Sequence, residues 1–124
     1  MKPLTDYEQK HDPLQDRCPV RAALDVIRGR WKPSILYHLC SGPKRFGDLK
    51  QSLPGATSQA LTVQLRQLEA DGIVSRTVYP EIPARVEYAL TAEGCSLSAV
   101  MDQLELWGIA YLQRRGRAGE RRSA

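Results

Sequence analysis

The sequence predicts a mainly α-helical domain with one small β-hairpin. Two patterns carry that expectation. Apolar residues recur at helical spacing in successive stretches separated by Gly and Pro, and two runs of alternating β-branched and aromatic residues lie between Ile73 and Leu90. A third pattern sets the purpose: Leu61, Leu65 and Leu68 stack on one side of a helix, and Gln59, Thr62, Val63 and Arg66 project from the other.

Residues 1–17 are polar, carry Pro3 and Pro13 and show no sustained periodicity, so they are expected to form a mobile arm. Pro19 suits a first helical turn, and Val20, Ala23, Leu24 and Ile27 mark the inner face of a short helix that ends at Gly29. Trp31 follows as a core anchor. Pro33 opens a second helix with Ile35, Leu36 and Leu39 inward, and Ser41-Gly42-Pro43 stops it. Lys44-Arg45-Phe46 is a brief extended link. Phe46, Leu49 and Leu53 give a third short helix, which Pro54-Gly55 breaks. Thr57 is placed to cap the two-faced helix by accepting a hydrogen bond from an unpaired backbone amide, and Gly72 ends that helix. Strands come next at Ile73–Tyr79 and Arg85–Leu90, joined by the stiff loop Pro80-Glu81-Ile82-Pro83-Ala84, which makes a projecting wing. Thr91 then caps a last long helix on which Leu97, Val100, Leu104, Trp107 and Tyr111 fall at steps of 3, 4, 3 and 4, a seam that wants a partner helix. From Arg114 onward the chain is Arg-rich and expected to fray.

This order describes a winged helix-turn-helix: an arm over 1–17, the winged domain with its dimerisation helix over 18–113, and a tail over 114–124. At 124 residues the chain fits one domain, and a dimer would enlarge its core. Eighteen Lys and Arg against fourteen Asp and Glu give net +4, a modest excess that suits a polyanion. The apolar stretches are too short to span a membrane, and the first residues lack a signal peptide's apolar core, so a cytoplasmic protein is expected. Gly-rich phosphate loops, a nucleophile with a base, and metal-ligand clusters are missing from the sequence, so neither an enzyme nor a cofactor is expected.

A polar helix face alone is ordinarily a solvated face. Set between a Pro-Gly turn and a hairpin it has a better use, because a Gln can pair with adenine, an Arg with guanine, and the methyls of Thr62 and Val63 can meet a thymine methyl. The candidate DNA contacts are therefore Thr57, Ser58, Gln59, Thr62, Val63 and Arg66, with Lys44, Arg45, Arg76 and Arg85 as phosphate contacts at the entry to the motif and on the wing. Cys18 lies at a helix N-terminus between Arg17 and Arg21, an electropositive setting of the kind that activates a thiol. The bland alternative is a packed, inert thiol. Cys40 is expected to be a small buried hydrophobe, and Cys95 to lie in the first turn of the final helix. His11 and His38 have no neighbouring ligand set.

Cys18-Pro19, Gly29-Arg30-Trp31, Arg45-Phe46-Gly47-Asp48-Leu49, the run from Leu61 to Glu69, Asp71-Gly72-Ile73-Val74 and the run from Pro83 to Thr91 together resemble the HxlR-type bacterial transcriptional regulators. The likeness extends from about Cys18 to Trp107. It implies a homodimer of MarR-like architecture that binds a near-palindromic operator in double-stranded DNA, with one recognition helix per half-site. It also implies a role for Cys18, since family members with a cysteine at the matching position include sensors of small electrophiles and oxidants. Two departures stand out: Ala56 replaces a larger apolar residue at the turn, which predicts looser packing there, and the arm before Cys18 is longer. The reading is thus a dimeric repressor with redox sensing through Cys18. A winged-helix protein-interaction module and a small-ligand-sensing regulator are the rivals.

Overall fold

The computed structural model describes residues 18–123. The expected arm, and Arg17 with it, lies outside the described residues. The chain folds as α1 (Pro19–Ile27), α2 (Lys32–Leu39), β1 (Lys44–Arg45), α3 (Phe46–Ser52), α4 (Ser58–Ala70), β2 (Val74–Tyr79), β3 (Arg85–Leu90), α5 (Ala92–Ser96) and α6 (Ser98–Ser123). This is a winged helix-turn-helix, mostly helical with a small antiparallel sheet.

The core gathers where the short helices meet the sheet. Ile35, Leu36 and Leu39 from α2, Leu49 from α3, Leu61, Leu65 and Leu68 from α4, and Ile73, Val74 and Tyr88 from the hairpin are all buried together. Ala56 is buried in the same cluster, so the small side chain at the turn is enclosed. The turn is built as its composition demands: Gly55 takes a positive φ of 93°, and the Ala56 amide donates to the Leu53 carbonyl at 3.1 Å. Thr57 then caps α4, its Oγ1 accepting from the Ala60 amide at 3.0 Å.

Several expectations need correction. Lys44 and Arg45 are a strand rather than a plain link: they pair antiparallel with Tyr88 and Glu87, so the sheet has three strands in the order β1-β3-β2. A two-residue strand offers no alternation to detect. The single long terminal helix is two helices, because the chain turns at Leu97 between α5 and α6. Thr91 caps only the short α5, accepting from the Gly94 amide at 3.0 Å while its hydroxyl donates to the Gly72 carbonyl at 2.6 Å. Gly94 is buried, and a Cβ there would run into the Ile73 carbonyl oxygen, so glycine lets α5 lie against the start of β2. The stretch expected to fray from Arg114 is helical backbone through Ser123. On α1 only Ile27 of the expected inner face is buried, and Val20, Ala23 and Leu24 are exposed, because α1 docks on the core only through its C-terminal end. Cys40 is exposed, since it comes after Leu39 at the C-cap of α2 on the outer side of the turn.

Candidate nucleic-acid interface

The recognition helix α4 turns opposite faces to core and solvent. Leu61, Leu65 and Leu68 are fully buried, while Gln59, Val63 and Arg66 are exposed and Thr62 is half-buried at the margin. The Thr62 hydroxyl donates to the Ser58 carbonyl at 2.7 Å, which satisfies it on its own helix and leaves the methyl as the group it can offer outward. Thr57 is exposed but its oxygen is committed to the cap; Ser58 is exposed at the first helical position.

The expected cations fall into two places. Arg66 near the end of α4 and Arg76 on β2 share a shallow recess of about 520 Å³ with Glu69 and Ala70, so the recognition helix and the wing present positive charge side by side. Arg45 and Arg85 line another recess of about 410 Å³, between the start of α3 and the wing loop. Lys44 is half-buried in β1.

Arg85 is employed differently from the others. Its Nη1 donates to Glu87 Oε2 at 2.7 Å and its Nη2 to Glu81 Oε1 at 3.1 Å, and the guanidinium carbon lies 3.9 Å from the centre of the Tyr79 ring. Two carboxylates and an aromatic face therefore hold it inside the wing, tying β2, the loop and β3 together. Sequence spacing identifies Arg85 as a wing residue but carries no sign of this clamp. Beside the clamp, Ile82 stands fully exposed at the wing tip.

A second surface is apolar. Of the expected seam, Leu97 is partly buried against the chain's own core, whereas Val100, Leu104, Trp107 and Tyr111 are exposed along α6. Trp107 stacks on Tyr111 with ring centroids 5.2 Å apart, and the Arg115 guanidinium lies 5.5 Å from the Tyr111 ring. Leu106, Ile109 and Leu112 on other faces of α6, and Val20 and Leu24 on α1, are exposed too. Cys18 precedes α1 and is exposed, as are Cys40 and Cys95. Among the described residues no group of His, Cys, Asp and Glu could hold a metal, and no helix is long and apolar enough to cross a membrane.

Gln64 is the residue that sequence reasoning passes over. It flanks the buried face of α4 and its side-chain oxygen accepts from the Trp31 backbone amide at 2.9 Å. A glutamine among leucines, 33 residues from a tryptophan whose helix has just begun, gives no local signal.

Comparison with known proteins agrees with this geometry. The model of the HxlR-like helix-turn-helix family matches residues 26–116. The HTH-type transcriptional regulator YybR of Bacillus subtilis (strain 168) is 47% identical over 96 residues, 77% of each chain. Among solved structures, the redox regulator HypR in its reduced form superposes with a TM-score of 0.72 at 47% identity, covering 74% of this chain and 91% of that one. A MarR-family transcriptional regulator from Enterococcus faecalis V583 gives 0.72 at 40% identity, covering 83% and 94%.

Proposed function

The chain belongs to the HxlR-like helix-turn-helix family of transcriptional regulators, and from that premise we propose that it represses transcription by binding a near-palindromic operator as a homodimer. The observation that carries this reading is α4: a capped helix seated by three buried leucines, with Gln59, Val63 and Arg66 outward. Such a helix enters the major groove with its outer side chains at the base edges. Arg66 and Arg76 flank one recess, which supports reading Arg66 as a base contact and Arg76 as a phosphate contact on one stretch of duplex. Lys44 and Arg45 add charge at the entry to the motif. Arg85 acts by ordering the wing.

Dimerisation is inferred from the exposed seam on α6. Val100, Leu104, Trp107 and Tyr111 form an apolar stripe that water would otherwise cover, and a second copy of the same helix removes it. The exposed Val20 and Leu24 of α1 are a second apolar stripe, which we assign to the same interface. Two recognition helices related by a two-fold axis then meet half-sites about one helical turn apart, roughly 34–36 Å.

Cys18 gives this regulator its signal. It is exposed and immediately precedes α1, whose outer stripe joins the proposed interface, so alkylation or oxidation by a small electrophile or oxidant would shift α1 against the partner. HypR, a structural relative, is a redox regulator, which supports this reading.

Selection of duplexes from a random pool, with titration of the recovered operator, tests the proposal. A shared near-palindrome bound far above random duplex is expected. Weak, sequence-blind retention would reject it in favour of a protein-interaction module. Diamide or a quinone should then change the affinity of the wild type and leave Cys18→Ser unaffected; equal responses in both would make Cys18 structural.

A further inference from the structure

The elbow between α1 and α2 grips the recognition helix at one point and abuts its approach at another. At the first, the Trp31 backbone amide, at the N-cap of α2, donates to Gln64 Oε1 at 2.9 Å. At the second, the far edge of the Trp31 ring lies against the turn that leads into α4, 3.7 Å from where a Cβ on Gly55 would stand. The Trp31 carbonyl meanwhile starts α2 by accepting from the Ile35 amide at 2.8 Å, and the Trp31 side chain packs against the core, so the residue that holds α4 is itself fixed.

Gly29 makes the grip feasible. A Cβ at that position would lie 2.8 Å from Gln64 Oε1 and 3.3 Å from both Gln64 Cδ and Lys32 Cδ, and its φ of 151° is one that other residues rarely adopt. The glutamine carboxamide therefore occupies space that any side chain at 29 would take. We propose that Gln64 is a positioning residue for operator recognition, whose hydrogen bond to the Trp31 amide in the space left by Gly29 fixes the seat of the recognition helix against the elbow between α1 and α2.

Rotation of α4 about its own axis would carry Gln59, Thr62 and Arg66 past the base edges, and the three leucines alone form a slippery seat for such a rotation. Apolar packing is non-directional, whereas a hydrogen bond to a fixed backbone amide is directional. The same bond ties α4 to the elbow from which α1 departs, and α1 carries Val20 and Leu24 on the proposed dimer surface. Displacing α1 thus pulls on the recognition helix through one elbow.

This inference rests on the operator-binding reading, and the experiment separates the two. Gln64→Met keeps the length of the side chain and deletes the acceptor; Gln64→Glu keeps the acceptor. With the operator recovered by the wild type, Gln64→Met should lose roughly three- to tenfold in affinity, alike for every single-base variant of the site. It should also lose discrimination against operators with one base pair added between half-sites. Gln64→Glu should keep that spacing preference, and the Trp31 amide should exchange hydrogen faster in Gln64→Met than in either Gln64→Glu or the wild type. Gly29→Ala should resemble Gln64→Met, with thermal unfolding recorded to set aside a misfolded sample. Wild-type affinity and spacing preference in Gln64→Met would overturn the proposal, as would unchanged exchange at Trp31 or a loss confined to one base pair. A wild type that selects no sequence would overturn the operator reading and the inference together.

Discussion

Helices α4 and α6 are both amphipathic, yet they end in opposite conditions. The inner residues of α4, Leu61, Leu65 and Leu68, are all 0% exposed, covered by α2 and by the hairpin. On α6, Leu104 remains 45% and Trp107 63% exposed. One helix has its apolar face covered within the chain, and the other leaves its apolar face open. The difference lies in the path of the chain beyond each helix. After α4 the chain turns back at Gly72 into β2, which closes over the leucines, whereas after Leu97 no later element returns to cover α6 among the described residues.

The sharpest way to break this contrast is to damage each helix at its apolar face. Leu65→Ala should destabilise the domain by about 2–5 kcal/mol, because the cavity left among fixed neighbours adds to the lost burial. Urea unfolding would measure it, and a change below about 1 kcal/mol would show that α4 is less tightly seated than its burial indicates. Leu104→Glu should leave the helical circular dichroism signal of the domain in place and yield monomers in sedimentation at micromolar concentration. A dimer that survives the charge would move the interface off the seam.

Smaller effects sharpen the outer faces. Arg66→Ala should cost about 1–3 kcal/mol of operator binding and relax the choice at one base pair, if its partner is guanine. Uniform loss would place Arg66 on phosphate. Smallest are the wing changes, where Arg76→Ala should weaken all duplexes alike and reduce the salt slope by about one. Arg85→Ala should leave that slope nearly unchanged, because its charge is already balanced by Glu81 and Glu87 in the wing. A full unit lost from the slope would return Arg85 to the phosphate contacts.

Legibility in the sequence divides along the same line. Leucines at helical spacing, a threonine before them, Pro-Gly turns and alternating strands are local signals, and α4, its cap and the wing strands lie where those signals point. The break at Leu97 is hidden because that leucine also satisfies the seam spacing, with no Gly or Pro to mark the turn. Periodicity identifies a stripe on α1 but cannot say that Val20 and Leu24 find nothing of the same chain against them. Gln64 and Arg85 escape for another reason: the partner of Gln64 is 33 residues away, Glu81, Glu87 and Tyr79 converge on Arg85 only once the hairpin has formed, and neither residue type announces those partners.

The strand Lys44–Arg45 has a consequence for how the molecule comes together. It pairs with β3 across the whole helix-turn-helix, Lys44 opposite Tyr88, so α3 and α4 lie inside a loop that the sheet closes. Bringing those ends together costs chain entropy before any pairing compensates it. The reading helix and the wing should consequently fold as one unit, and a peptide that stops at Asp71 should stay unfolded. Insertions into the loop from Pro80 to Ala84, which lies within the closed segment, should slow folding little, since the entropy of closure grows only slowly with loop length.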